Sequence, residues 1–288
     1  MTLRARLAAD PILVAPGVYD ALTASLAEAA GFKALYLSGA AVAYTRLGRP
    51  DIGLTSVNEM TDTMALIRDR TALPVIIDAD TGFGNALNAQ RTMRLYERAG
   101  ASALQIEDQT YPKRCGHLAD KSLISTGEMT GKIKAMADAR ASDETLIIAR
   151  TDAIAVEGFD AALDRAENYV DAGADALFIE APQSMEQLTG IVDRFKGRAP
   201  LMANMVEGGA TPMRTAADLE AIGFSLVIFP GGIVRAIART AEDYYASLRS
   251  NGTNTPFKER MFDFSALNER LGTDAMLATG KRYDEREG

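Results

Sequence analysis

The most reactive side chains of this chain lie together in one short stretch. Residues 107–121, EDQTYPKRCGHLADK, contain the only cysteine, Cys115, and the only histidine, His117. An isolated cysteine is most often a small buried side chain, but the residues around this one are polar. Lys113 and Arg114 precede it, and neighbouring positive charge favours the thiolate form of a cysteine. We therefore expect this stretch to take part in a reaction.

A second group of residues capable of chemistry follows short apolar runs along the chain. Its members are Ser38, Asp78, Asp80, Glu107, Asp108, Arg150, Asp152, Glu180, Asn204 and Glu207. Asp78 and Asp80 are two positions apart, so on an extended chain their carboxylates point to the same side. If the apolar runs are parallel strands, these side chains meet at one end of the sheet.

Several carboxylates in one cleft require a counter-ion. The carboxylates that would ring the cleft are those of Asp78, Asp80, Glu107 and Glu180. They predict a Mg²⁺ site, with Mn²⁺ as the alternative ion, because Mg²⁺ takes oxygen ligands and keeps several of its waters. Asp51, in a long segment over residues 40–56 that we expect to be a loop, is placed to reach the same cleft. Taken singly, each carboxylate has the alternative of capping a helix or pairing with an arginine.

The composition excludes several classes of protein. The chain has 288 residues, 47% of them hydrophobic and 24% charged, which is typical of a globular protein. A net charge of −8 and the lack of a Lys/Arg cluster argue against nucleic-acid binding. No apolar run approaches the roughly 20 residues of a membrane span, and the first residues lack the apolar block of a signal peptide, so we expect a cytoplasmic protein. One cysteine and one histidine exclude multi-cysteine and multi-histidine metal sites.

The elements that would position these residues repeat along the chain as an apolar run followed by a segment with helical spacing. The runs cover residues 12–17, 34–39, 74–80, 103–108, 145–151, 176–182, 200–205 and 225–230. Continuous apolar strands joined by helices belong to a parallel sheet buried on both faces. Eight such units predict an α/β fold of the (β/α)8 TIM-barrel type, with a doubly wound sheet as the alternative. We expect the barrel to span residues 1–250, with a helical tail over 251–288.

The stretch around Cys115 then falls in a loop that follows the fourth strand. This loop, over residues 109–126, is longer than most connections between a strand and a helix. Long loops at the mouth of a barrel are often lids over the active site. Gly116 would let the backbone pass close to a ligand.

The sequence resembles the isocitrate lyase and phosphoenolpyruvate mutase superfamily. The motifs that carry the resemblance are YLSG at 36–39, LGRPDIG at 47–53, DADTGFGN at 78–85, IEDQ at 106–109, KRCGH at 113–117, ARTDA at 149–153 and ANMVEGGATP at 203–212. They occur in order, and the likeness covers at least residues 14–230. It is strongest to the short-chain members that act on 2,3-dimethylmalate or 2-methylisocitrate and to carboxyphosphonoenolpyruvate mutase.

The resemblance implies a Mg²⁺-dependent barrel enzyme, usually a homotetramer whose last helix is exchanged between neighbouring subunits. The segment over residues 254–272, which is apolar at helical spacing, is consistent with this exchange. The implied substrate is a small dicarboxylate or tricarboxylate.

The resemblance also assigns roles to individual residues. The metal set is Asp78, Asp80, Asp51 and Glu107. The substrate-binding set is Ser38, Gly39, Ala40, Arg114, Gly116, Arg150, Glu180 and Asn204. The catalytic set is Cys115 as proton donor, Lys113 and His117 as its assistants, and Tyr36 near the reacting hydroxyl group.

These roles predict a carbon–carbon lyase that cleaves a 2-hydroxy dicarboxylate, such as a substituted malate or 2-methylisocitrate, to pyruvate or a related 2-oxo acid plus a carboxylate. An oxaloacetate hydrolase or decarboxylase, or a phosphonate mutase, is the alternative on the same scaffold. A barrel that binds a dicarboxylate without turning it over is a third possibility.

Two positions depart from the pattern of the lyases. Ala40 replaces a glycine that often follows Ser-Gly, and it adds a methyl group near the expected carboxylate site. The segment FPGGIVRA at 229–236 has smaller residues than methylisocitrate lyases carry there, so the pocket for the distal part of the substrate is expected to differ.

Overall fold

Eight parallel strands form a closed barrel in the computed structural model, which describes residues 1–9, 11–116 and 120–284. The strands are β1 (Leu13–Val18), β2 (Leu35–Leu37), β3 (Val75–Asp78), β4 (Ala103–Glu107), β5 (Leu146–Thr151), β6 (Ala176–Ile179), β7 (Leu201–Asn204) and β8 (Leu226–Phe229). Each strand pairs with its neighbours in chain order, and β8 returns to β1 with Leu13 opposite Leu226. The predicted TIM barrel is confirmed, and the doubly wound alternative is wrong because that sheet would stay open.

Helices alternate with the strands, and the buried side chains of those between residues 21 and 222 pack against the outside of the barrel. The helices are α1 (Leu3–Leu7), α2 (Ala21–Ala29), α3 (Gly39–Val42), α4 (Val57–Arg70), α5 (Ala86–Arg98), α6 (Thr126–Ala139), α7 (Phe159–Asp171), α8 (Met185–Phe195), α9 (Ala216–Ile222), α10 (Gly232–Asn251), α11 (Phe264–Leu271) and α12 (Thr273–Lys281). Side-chain caps explain many of their starts. In α4, for example, Ser56 and Glu59 form a reciprocal capping box.

The strands divide their side chains between two apolar layers. Alternate residues such as Tyr36, Ile76, Ile148, Phe178 and Met202 fill the inside of the barrel. The intervening residues pack outward against the helices. Because the period of a strand is two, this alternation also fixes which side chains at the strand ends face the mouth.

Helix α1 packs at the end of the barrel opposite the strand C-termini. Its Leu3 and Leu7 belong to the same buried cluster as the inner side chains of the strands. The Arg4 side chain donates hydrogen bonds to the Asp143 carbonyl and to Asp175, which precede β5 and β6. Helix α1 therefore covers one end of the barrel, and the end at which the strands have their C-termini is left for a functional site.

The segment over residues 40–56, predicted to be a loop, is helical in its first half. Helix α3 continues into a π-helix over Ala43–Leu47, which Gly48 ends with a φ of 61°. The Oγ of Ser38 accepts a hydrogen bond from the amide of Ala41 and so caps α3. The prediction of a loop was wrong for residues 40–47. The alanine-rich start of this segment favours a helix, and the glycines at 48 and 53 come only after its last residue.

The chain divides into two compact units, Met1–Val234 and Arg235–Gly288. The first contains the barrel, and the division expected after residue 250 stays a prediction. In the second unit several large apolar side chains are exposed, among them Phe262, Phe264, Met276 and Leu277. The exchange of C-terminal helices between subunits and the tetramer likewise stay predictions. Among the described residues, no helix is both long and apolar enough to cross a membrane.

Candidate active site

Five polar residues face the mouth of the barrel from the ends of successive strands. They are Asp78, Glu107, Arg150, Glu180 and Asn204. Each stands an even number of positions after a residue of the inner apolar cluster, so the alternation of the strand directs it inward. The first four are buried, and Asn204 is half-buried. The structure therefore brings these five of the predicted strand-end residues together, whereas Asp108 lies on the outer side, where it contacts Tyr169 and Arg165 of α7.

Asp80 reaches the mouth in a different way from the one expected. Strand β3 ends at Asp78, and Asp80 has a φ of 46°, in the left-handed region that non-glycine residues seldom occupy. The premise of an extended chain through both residues was therefore wrong. The Asp80 amide donates a hydrogen bond to Oδ1 of Asp78 at 3.1 Å, which holds the turn. Such strain is typical of functional sites.

Lys113 lies between two of the predicted metal ligands. Its Nζ atom is 2.6 Å from Oδ1 of Asp51 and 2.9 Å from Oδ1 of Asp80, and all three side chains are buried. Burial alone would lower the pKa of Lys113, but Asp80 and Asp51 outweigh it and raise that pKa well above its usual value. Burial raises the pKa of Asp80 to about 6, against the opposing effect of Lys113. Lys113 is therefore the counter-charge of this carboxylate cluster.

Arg150 neutralises the other side of the mouth. It forms a two-pronged ion pair with Asp152, at 2.9 Å from Nε and 3.0 Å from Nη2, and its Nη1 lies 3.3 Å from Oε2 of Glu107. Burial would raise the pKa of Asp152, but Arg150 and Lys121 lower it to about 2. Burial raises the pKa of Glu107 well above its usual value in spite of Arg150.

Among the described residues, several buried polar atoms at or below the mouth have no hydrogen-bond partner, and three of them belong to strands β4 and β7. These three are Oε1 of Glu107, Oδ1 of Asn204 and Nε2 of Gln105. Buried polar groups are normally paired, so unpaired ones at a cleft indicate groups that a ligand or water satisfies. Asn204 otherwise makes only long contacts, with its Nδ2 3.4 Å from both carboxylate oxygens of Glu180.

The residues at the mouth fit a hard divalent cation. Four buried carboxylates lie there, those of Asp51, Asp78, Asp80 and Glu107. Within the described part of the chain, Oε1 of Glu107 has no hydrogen-bond partner and is available as an oxygen ligand. Among the residues that the structure describes, no three His, Cys, Asp or Glu side chains are arranged to hold a metal directly. The fit therefore rests on the carboxylate oxygens themselves, which Mg²⁺ can bind directly or through its waters.

Ser38, Gly39 and Ala40 lie at the start of α3, directly beside the carboxylates. A Cβ atom on Gly39 would lie 2.9 Å from Oδ2 of Asp78, so glycine allows this close approach. The first amides of a helix have no partner within the helix. The arrangement suits the expected binding of a substrate carboxylate by backbone amides.

Tyr36 projects into the barrel below the mouth. Its hydroxyl group donates a hydrogen bond of 2.6 Å to Oε1 of Gln105. Burial, and then the charge of Asp78, raises the pKa of Tyr36 well above its usual value. Tyr36 is therefore a protonated hydrogen-bond donor in this structure, and its predicted role in removing a proton would require a different environment.

The described parts of the β4–α6 loop are residues 108–116 and 120–125, and residue 116 lies on this mouth. A Cβ atom on Gly116 would overlap Nη2 of Arg150 and lie 2.5 Å from Oε1 of Glu180, so the loop backbone rests directly on these two side chains. Cys115, the preceding residue, is half-buried. The Arg114 side chain is 45% exposed and pairs with Asp120, so it points away from the buried cluster. The prediction for His117 falls outside the described residues.

Lys121 and Gln105 were not identified from the sequence, and Asp152 was placed at a strand end without a role. Lys121 and Asp152 form a buried ion pair of 2.9 Å beside Arg150, and Gln105 holds Tyr36. Asp152 stands two positions after Arg150, and Gln105 stands two positions before Glu107. In both cases the alternation of a strand predicts that the two side chains point to the same side. No such alternation pointed to Lys121, because only the folded loop brings it to the barrel.

A cavity of about 470 Å³ opens elsewhere, at the N-terminal end of the barrel. It is lined mainly by apolar side chains such as Ile12 and Phe32, with Arg6 and Lys33 as its charged residues. The described residues of its lining include no carboxylate. Since catalysis in TIM barrels takes place at the C-terminal end of the strands, we place the site at the mouth.

Comparison with known proteins assigns the chain to a family. The profile of the family described as phosphoenolpyruvate phosphomutase matches residues 3–249. The chain belongs to this family. The membership predicted from the motifs is thereby confirmed.

Curated relatives of this family cover nearly the whole chain. A 2,3-dimethylmalate lyase from Eubacterium barkeri is 40% identical over 98% of this chain and 96% of its own length. A 2-methylisocitrate lyase from Aeropyrum pernix is 44% identical over 94% of this chain and 87% of its own. The expectation of an enzyme of the isocitrate lyase and phosphoenolpyruvate mutase superfamily, whose relatives are named as lyases, is confirmed.

Solved structures agree closely with the fold. A 2,3-dimethylmalate lyase structure has a TM-score of 0.92 and 36% identity, covering 98% of this chain and 94% of its own. An oxaloacetate acetylhydrolase in complex with 3,3-difluorooxalacetate also scores 0.92, at 32% identity, covering 99% of this chain and 97% of its own. A phosphonopyruvate hydrolase solved with oxalate and Mg²⁺ has a TM-score of 0.88 and 32% identity. The match covers 98% of this chain and 99% of that one. The family therefore includes an enzyme seen with a divalent metal.

Proposed function

We propose that this chain is a Mg²⁺-dependent carbon–carbon lyase that cleaves a 2-hydroxy dicarboxylate of the substituted-malate type to a 2-oxo acid and a carboxylate. The observation that carries the proposal is the contact of the Cys115–Gly116 backbone with a mouth that holds both a carboxylate cluster and Arg150. The similarity to a 2,3-dimethylmalate lyase over 98% of the chain supports it. We also propose, on the resemblance alone, a cytoplasmic homotetramer.

Asp78, Asp80, Asp51 and Glu107 are the residues that would hold the metal. Mg²⁺ at such a site supplies a Lewis acid for the oxygens of a 2-hydroxy acid and so favours ionisation of the hydroxyl group. Lys113 offsets part of the negative charge of this cluster, since its ammonium pairs with Asp51 and Asp80.

Substrate binding falls to the backbone of α3 and to Arg150. The amides of Gly39 and Ala40 and the hydroxyl of Ser38 would donate hydrogen bonds to one carboxylate of the substrate. Arg150 would pair with a second carboxylate, because its Nη1 group makes only a 3.3 Å contact with Glu107. Glu180 and Asn204 would line the remaining wall, where Oδ1 of Asn204 has no hydrogen-bond partner among the described residues.

The bond changes need one proton to leave and one to arrive. The C2 hydroxyl group would give its proton to a carboxylate of the mouth and become the ketone as the C2–C3 bond breaks, and the electron pair of that bond would pass to C3 as an enolate. The Cys115 thiol then donates a proton to C3, and Arg150 and Lys113 stabilise the negative charge before this transfer. The loop over the mouth excludes water, which would otherwise compete for the intermediate.

The test is release of pyruvate, followed with lactate dehydrogenase and NADH. The substrates are 2,3-dimethylmalate, 2-methylisocitrate, citramalate and isocitrate, with Mg²⁺ or with EDTA. We expect turnover of a substituted malate that EDTA abolishes and that Cys115→Ser lowers by about 100-fold or more. Lack of turnover of every one of these acids by the wild-type protein would contradict the lyase assignment.

An oxaloacetate-directed hydrolase is the second candidate. The observation in its favour is the fold of an oxaloacetate acetylhydrolase, which matches this chain with a TM-score of 0.92. The 2,3-dimethylmalate lyase structure has the same TM-score. Loss of oxaloacetate that survives Cys115→Ser, with no pyruvate from the hydroxy acids, would select it. A lyase would show the reverse, because only cleavage of the hydroxy acid needs the thiol as proton donor.

A further inference from the structure

Lys121 is buried at the end of the β4–α6 loop and has two partners. Its side chain is 2% exposed. The ammonium group donates a hydrogen bond of 2.9 Å to Oδ1 of Asp152 and another to the main-chain carbonyl of Gly116. Burial of an ammonium group is costly unless it is paired and hydrogen-bonded. Lys121 therefore depends on one partner in the barrel and one in the loop.

The barrel partner connects Lys121 to the residue proposed to bind the substrate. Oδ1 of Asp152 accepts hydrogen bonds from both Lys121 and Nη2 of Arg150. Two cations, Lys121 and Arg150, thus face two buried carboxylates, Asp152 and Glu107. Without Lys121, Arg150 would be the one cation in contact with either Asp152 or Glu107 in the described ion pairs. The excess negative charge would then weaken the binding of an anionic substrate.

The loop partner connects Lys121 to the proposed proton donor. Gly116 directly follows Cys115, and its backbone rests on Arg150 and Glu180 with no space for a side chain. The hydrogen bond from Lys121 to the Gly116 carbonyl holds this contact. A displacement of the backbone at Gly116 would move Cys115 with it.

We propose that Lys121 is a positioning residue, which ties Gly116 of the loop to the Asp152–Arg150 pair of the barrel and so fixes Cys115 over the substrate. The inference rests on the proposed lyase function. Lys121 itself touches no reacting atom. Its effect on the reaction is exerted through Cys115 and Arg150.

A double-mutant cycle tests whether Lys121 acts through Cys115. Lys121→Met keeps the length of the side chain and removes its charge, and we expect kcat to fall by about 10- to 100-fold, because a small misplacement of a catalytic group has this effect. In the Lys121→Met background, Cys115→Ser should then cost much less than it does in the wild-type protein. Lys121→Arg keeps the charge and the donors and should recover part of kcat.

The control is Lys134→Met, which changes an exposed lysine of α6 in the same way. It should leave kcat and KM at wild-type values. If the losses from Lys121→Met and Cys115→Ser multiply independently, or if Lys121→Met lowers kcat only in proportion to unfolded protein, the proposal is overturned.

Limited trypsin digestion provides a readout that needs no substrate and so separates this proposal from the proposed function. Arg114 is 45% exposed, which makes the bond after it a reachable cleavage site next to Cys115. We expect cleavage after Arg114, followed by mass spectrometry, to be several-fold faster in Lys121→Met than in the wild type or Lys134→Met. Equal rates would overturn the positioning role even if the wild-type enzyme proved to have another activity.

Discussion

At the scale of single residues, Gly116 is notable because it follows the only cysteine and because its position leaves no space for a side chain. Its neighbour Cys115 is the only cysteine of the chain, and its own backbone lies against Arg150 and Glu180. Both contacted side chains are buried, and Asp152 holds the arginine through two hydrogen bonds, so Arg150 cannot move aside at low cost. The absence of a side chain at position 116 is therefore a requirement of the site.

We predict that Gly116→Ala lowers kcat/KM of the proposed reaction by about 100-fold, because the added methyl group lifts the loop and moves Cys115. The melting temperature should change little, since the loop lies outside the apolar layers of the barrel. Gly131→Ala in α6 is the matched control, because a Cβ there meets nothing within 4 Å. That control should keep full activity and gain about 0.5–1 kcal/mol of stability. Wild-type kcat/KM in Gly116→Ala would contradict the geometry described here.

At the scale of elements, the β4–α6 loop is held at its base before it reaches the mouth. Thr110 and Gln109 pair with Ser122 and Leu123 across the neck of the loop. The buried side chain of Gln109 also forms two hydrogen bonds with the backbone of Arg114, accepting from its amide at 2.9 Å and donating to its carbonyl at 2.8 Å. The segment before Cys115 is thus shaped by a side chain of the neck.

We predict that Gln109→Ala frees this segment. Two lost hydrogen bonds correspond to about 1–3 kcal/mol of local stability, so hydrogen exchange at the Arg114 amide should become at least about fivefold faster. Hydrogen–deuterium exchange measured by mass spectrometry checks this directly. Gln90→Ala, a change on α5, is the control and should leave that amide unaffected. Unchanged exchange at Arg114 in the Gln109 variant would show that other contacts hold the segment.

At the scale of the whole molecule, the barrel concentrates negative charge in its interior. The net charge is −8, and four carboxylates at the mouth are buried although Lys113 is the only lysine that pairs with them in the described ion pairs. Buried charge of one sign destabilises the fold unless a counter-ion binds. Binding of a cation to the folded state alone raises the stability of the whole barrel.

We predict that Mg²⁺ at about 100 times its dissociation constant stabilises the wild-type protein by about 2.7 kcal/mol and raises its melting temperature by about 5 °C or more. Differential scanning fluorimetry over a Mg²⁺ titration, with EDTA as the reference, measures the shift. Asp80→Asn should abolish most of it, whereas Asp193→Asn, which changes an exposed residue of α8, should retain it in full. An equal shift in both variants would place the cation elsewhere.

The sequence by itself determined the barrel and the ring of polar residues at its mouth. The lengths of the apolar runs and their alternation are local properties, and in a closed parallel barrel they dictate which end each polar side chain must occupy. Asp78, Glu107, Arg150, Glu180 and Asn204 were placed in this way. The motif around Cys115 added the family, because the order and spacing of its residues can be read without coordinates.

Only the tertiary structure decided how the charges are paired. Lys113 and Arg114 are adjacent in sequence, yet the first is buried between two carboxylates and the second points to solvent. Lys121 joins the loop to Asp152, 31 positions away. Pairing of this kind depends on the path of a loop whose own residues carry no periodicity, so local patterns cannot predict it, whereas the closed packing of strands and loop fixes it.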